Sequence, residues 1–181
     1  MAVEFAVECT YRYREDIMLD EIKKRLQGYE ITPITTQNFA QAFEVYESNQ
    51  AFFQLTQGAH ATMESSIGDI TAIPPNCTIA QKIYVGIWEY GKIIGILDLI
   101  EKFPDENTLW IGLLLVHSNM HGKKIGSEIV NAVLDAAKSA GCKSAQLGVI
   151  ENNCKAIAFW QRHGFETCRK SDNILVMARD L

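Results

Sequence analysis

Between Gln81 and His117 the chain carries three nearly uninterrupted apolar runs, K-I-Y-V-G-I-W-E-Y, I-I-G-I-L-D-L-I-E-K-F and T-L-W-I-G-L-L-L-V-H, the first two meeting around Gly91. A strand with one wet face alternates apolar and polar residues. Runs that are apolar at almost every position predict instead a sheet covered on both faces. The break at Gly91 predicts a hairpin between the first two strands. A chain of 181 residues, 48% of them hydrophobic, can supply that cover from a single domain.

Helical spacing points to the covering elements. In D-I-M-L-D-E-I-K-K-R-L-Q-G, residues Ile17, Leu19, Ile22 and Leu26 recur at roughly helical intervals and stop at Gly28. This reads as an N-terminal helical arm, residues 1–29, ahead of a main domain at 30–181. A short strand, Y-E-I-T-P-I-T, precedes a helix that carries Phe39, Phe43 and Tyr46, with Thr36 or Asn38 as its cap. Residues 49–77 mix the aromatic Phe52 and Phe53, a glycine break, a short helix and the stop I-P-P-N, a pattern closer to a pocket wall than to a sheet. Ile125, Ile129, Val133, Leu134 and Ala137 form a helical stripe that ends at Gly141. Ala145, Leu147 and Val149 alternate as a strand, 153–163 reads as a further helix closed by Gly164, and I-L-V-M-A completes the sheet. The fold class is therefore α/β (mixed α+β).

Charge narrows the ligand classes. Lys and Arg number 17 against 22 Asp and Glu, a net charge of -5, so no overall positive field favours nucleic acid or an anionic membrane. Any anionic ligand must be captured locally. The five cysteines, Cys9, Cys77, Cys142, Cys154 and Cys168, form no C-x-x-C pair and no metal-ligand spacing with the four histidines. Reduced thiols and no metal are expected. The opening M-A-V-E-F-A-V-E-C-T is acidic where a secretory leader would be basic, and no run reaches membrane-spanning length, so a soluble, cytoplasmic protein is expected.

Local capture of an anion is what H-G-K-K-I-G-S-E-I-V, residues 121–130, offers. The first amides of a helix lack intrahelical acceptors, and the helix dipole adds partial positive charge at that end. Gly122 and Gly126 permit close backbone approach to a phosphate, and Lys123 and Lys124 raise the local potential. Neither Walker nor Rossmann spacing is present. On its own the loop fits an ordinary strand-to-helix turn with solvated lysines equally well.

The order of segments decides more than the loop does. The strand L-L-L-V-H, the loop H-G-K-K-I-G, a long helix, a strand and then N-C-K-A-I-A-F-W-Q-R-H-G-F together resemble the GCN5-related N-acetyltransferase (GNAT) superfamily over about residues 30–180. That family's loop reads Gln/Arg-x-x-Gly-x-Gly, and its next helix reads Asn-x-x-Ala-x-x-x-Tyr-x-x-x-Gly-Phe. The segments D-L-I-E-K-F-P-D and W-I-G-L-L-L-V are similar to those of a bacterial subgroup. The resemblance implies a GNAT fold, a central mixed, mostly antiparallel twisted sheet flanked by helices, and acetyl-CoA (coenzyme A) as acyl donor. It also implies that backbone groups of Leu114, Leu115 and Val116 align the pantetheine arm. The amides of His121, Gly122, Lys123, Lys124, Ile125, Gly126 and Ser127 would hold the pyrophosphate, while Asn153, Ala156, Phe159 and Trp160 line the cofactor. Asn153 would equally serve as the cap of its own helix.

The chain departs from the pattern in ways that bear on chemistry. His121 replaces Gln or Arg, and Lys124 replaces the first glycine, so a positive φ there would carry strain that pairing with phosphate could offset. Trp160 stands where many relatives have a tyrosine acid; an indole N–H donates a hydrogen bond but no acid proton. Gly112 stands where many have a glutamate base. Asp98, alone in the apolar strand I-I-G-I-L-D-L-I, is the candidate base, its surroundings expected to raise its pKa; a purely structural carboxylate is the other reading. Glu101, at odd spacing from Asp98, belongs to the opposite strand face. An amide near Leu115 would stabilise the oxyanion. Tyr46, Phe52, Phe53 and Gln54 are the candidate acceptor-pocket residues. The expected activity is acetyl transfer to an amine of a small molecule or peptide, the alternative a non-catalytic acyl-CoA-binding module. The expected partners are that amine acceptor and at most a second copy of the chain in a homodimer, with neither nucleic acid nor membrane.

Overall fold

The computed structural model describes residues 17–181; residues 1–16, with Cys9, the acidic opening stretch and the first part of the expected 1–29 arm, lie outside the described residues. The helices are α1 (Ile17–Arg25), α2 (Phe39–Glu47), α3 (Gln50–Gln57), α4 (Met63–Ser66), α5 (Ile125–Ser139) and α6 (Cys154–Arg162). The strands are β1 (Glu30–Pro33), β2 (Lys82–Glu89), β3 (Lys92–Glu101), β4 (Thr108–Val116), β5 (Ser144–Ile150), β6 (Glu166–Ser171) and β7 (Ile174–Asp180). They form one seven-stranded sheet in the order β1-β2-β3-β4-β5-β7-β6. Every neighbouring pair is antiparallel except β4 with β5.

Both faces of the sheet are covered, which accounts for the continuous apolar runs. On one face Ile83, Val85, Ile87, Leu97 and Leu147 pack with Ile129 and Val133 of α5 and with Met18, Leu19 and Ile22 of α1. The described part of the N-terminal segment thus lies in the main core. On the other face Tyr84, Ile96 and Leu115 pack with Phe39, Val45 and Tyr46 of α2 and Phe53 of α3. Burial of this many aliphatic side chains, at about 1.5–3 kcal/mol each, is the dominant stabilising contribution. The hairpin turns through Tyr90 and Gly91, both at positive φ (49° and 73°), with Glu89 opposite Lys92. That is the backbone a two-residue turn needs to match the strand twist. The edge strand β6 was not legible in the sequence, because all of it is exposed and it carries no apolar periodicity.

Two irregularities in the ladders set the site. Beyond the pair of Trp88 with Ile93, the β2–β3 register slips by one residue, so that Tyr84 faces Asp98. In β4, Leu113 faces Asp98 and Ile111 faces Leu99, which leaves Gly112 as the extra residue of a bulge. Leu109 and Ile111 therefore lie in one core, whereas Leu113 and Leu115 meet the other, although all four are odd-numbered. Among the described residues no helix is long and apolar enough to cross a membrane, and no group of His, Cys, Asp and Glu could hold a metal. Cys77, Cys142, Cys154 and Cys168 are free thiols.

Candidate active site

A cleft opens where β4 and β5 part. Their pairing runs only from Thr108 opposite Ser144 to Ile111 opposite Leu147, while the strands continue to Val116 and Ile150. From the bulge onward, the β5-facing edge of β4 carries main-chain groups with no strand partner. Such an edge can take an extended ligand as another strand.

The mouth of α5 lies beyond the end of β4. Lys124 is its cap residue at φ 67°, in the left-handed region, and makes no side-chain cap bond. This is the conformation that carries strain for a residue with a side chain. Glu128 N–H is the first amide of α5 to find an acceptor, the Lys124 carbonyl at 3.0 Å. The amides of Lys124, Ile125, Gly126 and Ser127 have no acceptor among the described residues. Four convergent donors at a helix N-terminus, with exposed Lys123 and Lys124 beside them, suit a pyrophosphate. Gly126 leaves room for one: an added Cβ would meet Phe159 at 3.6 Å and Val116 at 3.7 Å, ordinary contacts that close no space inside the protein. Gly122 sits at φ 78°.

The other named residues divide. Asn153 caps α6, its Oδ1 accepting from Ala156 N–H at 3.1 Å, which leaves its Nδ2 for a ligand. Leu114, Val116, Ala156 and Phe159 are partly buried against the main core. Trp160 is buried, edge-to-face with Phe159 at 5.1 Å and Phe165 at 5.2 Å, so it buttresses Phe159 from within the core. Leu115 buries its side chain in the second core. Of the four acceptor-pocket candidates, Tyr46 and Phe53 are core residues stacked at 5.3 Å, Phe52 is half-buried, and Gln54 is exposed and donates to Gly58 O at 3.1 Å. The structure does not bring these four together on one open wall.

Sequence reasoning missed the residues that tie the junction of α2 and α3 to the end of β4 and the loop after it. Asn49, between α2 and α3, donates from Nδ2 to Val116 O at 3.0 Å, and His121 Nε2 lies 2.8 Å from the same carbonyl. Ser118 N–H donates to Ser48 Oγ at 3.1 Å. His121 thus has a definite task at the loop entrance in place of the family's Gln or Arg. No periodicity marks Ser48 or Asn49, which read as ordinary turn residues.

Asp98 lies at the bulge. An added Cβ at Gly112 would fall 3.1 Å from its Oδ2, so glycine is what allows the carboxylate to occupy that space. Lys82 Nζ donates to its Oδ1 at 2.7 Å and Oδ2 at 2.8 Å. Burial pushes the Asp98 carboxyl up to about 6, against the lowering effect of the Lys82 charge. Close by, the Tyr46 hydroxyl donates to Asp69 at 2.8 Å and shares a 2.6 Å bond with the Tyr84 hydroxyl. Burial raises the pKa of both phenols and of Asp69, so the tyrosines stay neutral.

An open sheet that splays over a helix mouth of free amides is an arrangement able to take a phosphate-bearing ligand through its backbone. The chain belongs to the Acetyltransferase (GNAT) family, whose family model matches residues 42–165. It is similar to a probable spermine N(1)-acetyltransferase of Bacillus subtilis subsp. natto strain BEST195, 27% identical over 88 residues, which are 45% of this chain and 58% of that relative. The spermine/spermidine N(1)-acetyltransferase of B. subtilis strain 168 matches to the same extent. The chain thus spans little more than half the length of these relatives. Among solved structures, an acetyltransferase from Thermus thermophilus superposes with a TM-score of 0.73 at 20% identity, covering 84% of this chain and 97% of that one. A PaiA N-acetyltransferase from Thermoplasma acidophilum, in complex with coenzyme A, gives 0.66 at 17% identity over 84% and 99%.

Proposed function

We propose that the protein is an acetyl-CoA-dependent N-acetyltransferase that passes the acetyl group directly to an amine. One observation carries this reading: a partly open carboxylate, Asp98, lies against the bulge at which β4 parts from β5. Acetyl-CoA supplies a thioester whose acyl carbon is attacked and whose sulfur departs. In this reading the amides of Lys124, Ile125, Gly126 and Ser127 hold the pyrophosphate, with Lys123 adding charge and His121 and Gly122 shaping the entrance. Leu114, Leu115 and Val116 align the pantetheine on one wall, and Asn153, Ala156 and Phe159 flank it on the other. A main-chain N–H next to Leu115 on the β5-facing edge of β4, that of Leu114 or Val116, receives the developing oxyanion, since the register turns the Leu115 main chain to β3.

An alkylammonium acceptor, with a pKa of about 10.4, must lose a proton before it can attack. Asp98 takes that proton, which a pKa of about 6 favours over an ordinary carboxylate. The nitrogen lone pair then forms the N–C bond, the C–S pair leaves with sulfur, and a second nitrogen proton neutralises the thiolate. The proton on Asp98 passes to solvent. A thiol of pKa about 8.5 is a tolerable leaving group, so Trp160 in place of tyrosine is compatible with turnover.

For the acceptor we favour a small aliphatic polyamine. From Leu26 to Gln81 the chain has no Lys or Arg and five acids, Glu30, Glu44, Glu47, Glu64 and Asp69. That segment supplies the helices over the Asp98 face, so a cation approaching from there meets no like charge. The names of the two curated relatives point to the same chemistry. The free thiols suit a reducing cytoplasm. The test is thiol release from acetyl-CoA across polyamines, amino acids, aminoglycosides and peptides. Release with spermidine or spermine is expected; binding of acetyl-CoA without release for any amine would identify a binding module instead.

A further inference from the structure

Lys82 is an unusual residue to find at the first position of a buried strand. Its side chain is 1% exposed, against 15% for its partner Asp98. All three ammonium protons have acceptors: Asp98 Oδ1 at 2.7 Å, Asp98 Oδ2 at 2.8 Å and Ala72 O at 2.9 Å. The Nζ also stands 5.2 Å from the centre of the Tyr84 ring, so the cation has aromatic cover as well. Lys82 faces Ile100 and Tyr84 faces Asp98 across the ladder, which makes lysine and aspartate diagonal neighbours on one sheet face.

The pair is lopsided. Its cationic end is sealed, whereas its anionic end opens beside Gly112, where a glycine keeps the approach clear. A carboxylate present only to neutralise a buried lysine would gain nothing from that opening. Desolvation alone would leave this carboxyl protonated, and a protonated carboxyl cannot accept a proton from an ammonium. Two-point contact with one ammonium also fixes the plane of the carboxylate.

We propose that Lys82 is a positioning residue for acetyl transfer: tethered to Ala72 O, it holds the Asp98 carboxylate as an anion and aims it past Gly112 at the acceptor amine. This rests on the reading of Asp98 as the base. Among the described residues, the charged or titratable groups around Asp98 are Lys82 and Tyr84 from β2, Asp69 from the turn at 67–70, and Tyr46 of α2, which reaches it through the Tyr84 hydroxyl. Both phenols are neutral, and Asp69 opposes ionisation of Asp98, which leaves Lys82 as the group that favours the anion.

The test is the pH profile of kcat/KM with a polyamine acceptor. Lys82→Met, checked for folding by circular dichroism, should move the acid limb upward by about one to three pH units. Activity should return to within about fivefold of the wild type at the alkaline end, and Lys82→Arg should keep the limb near its original place. A folded Lys82→Met with an unmoved limb, or with one uniform loss at every pH, overturns the proposal. Asp98→Asn separates the two readings. If it abolishes the acid limb while Lys82→Met leaves that limb unmoved, Asp98 is the base and Lys82 has no part; if it preserves the limb, the base assignment itself fails and the proposal with it. Should Lys82→Met not fold, nitrogen NMR of the wild-type protein decides: the Lys82 ammonium signal must shift with the same midpoint as the acid limb, and a signal indifferent to that titration overturns the proposal.

Discussion

The two sides of the cleft are built by different means. The side proposed for the cofactor, β4 with the loop at 121–127, α5, β5 and α6, presents main-chain donors, glycines and a positive local balance: residues 121–181 carry nine Lys and Arg against six Asp and Glu. The side proposed for the acceptor, the helices between Leu26 and Gln81, presents no main-chain ladder and no Lys or Arg at all. It is held by stacked aromatics, Phe43 on Tyr46 at 6.3 Å and Tyr46 on Phe53 at 5.3 Å, and by buried hydrogen bonds. A diphosphate is the same in every acetyl-CoA and can be met by backbone, whose geometry tolerates little variation. An amine acceptor must be distinguished from other amines, which takes side chains and charge. The two sides are tied at the end of β4, where Asn49 and His121 share the Val116 carbonyl and Ser118 N–H donates to Ser48 Oγ.

The sharpest way to break this contrast is to put an acid into the cofactor side. Gly126→Glu adds bulk and negative charge where only ordinary contacts with Phe159 and Val116 exist, so the fold should survive. Affinity for coenzyme A in calorimetry should fall by about 100-fold or more, roughly 2.8 kcal/mol. Unchanged binding by the folded variant would remove the loop from the cofactor site.

Next in size is Asp98→Asn, which keeps shape and an acceptor for Lys82 while removing basicity. In the wild type, kcat/KM should rise with pH through about 6 as Asp98 loses its proton. The variant should lose at least about tenfold at neutral pH and recover in part at higher pH, where more of the amine is already unprotonated. A variant with wild-type rate and profile would make Asp98 structural.

Giving the acceptor side the cations it lacks tests the charge contrast. Glu44, Glu47 and Glu64 are exposed, and reversing all three to Lys should raise KM for spermine by about fivefold at low salt, with kcat unchanged. The effect should shrink in high salt and be weaker for a monoamine. A KM that does not depend on these charges would sink the polyamine assignment.

The smallest effect is the most diagnostic for Lys124. Lys124→Gly relieves a left-handed backbone at φ 67° and should stabilise the fold by about 1 kcal/mol, seen as a higher Tm. It should also weaken coenzyme A binding about threefold through the lost charge. Tighter binding would instead mean that the lysine side chain obstructs the site.

Much of the side proposed for the cofactor stood out in the sequence because backbone recognition of a ligand would leave such marks. A left-handed cap, a close approach and a helix mouth each need small or flexible residues at fixed spacing, and residues 121–127 display them. The acceptor side was less legible for a physical reason: an aromatic at helical spacing looks the same whether it faces a pocket or a core. Tyr46 and Phe53 turned out to be core, and Ser48 and Asn49, which join the two sides, carry no pattern.

What the chain determined by itself was composition and period: strands apolar at almost every position and therefore covered twice, a glycine- and lysine-bearing loop ahead of a helix, and a lone aspartate in an apolar run. Only the tertiary structure decided what that aspartate could do. Without the slip in the β2–β3 ladder, the register of Glu89 with Lys92 would set Asp98 opposite Ile83, in the aliphatic core beneath α5. The slip moves it opposite Tyr84, within reach of Lys82, and the bulge at Gly112 clears the space in front of it. Side chains alternate faces with a period of two, so a single extra residue changes which face a group is on, and no local pattern in this chain marks either insertion.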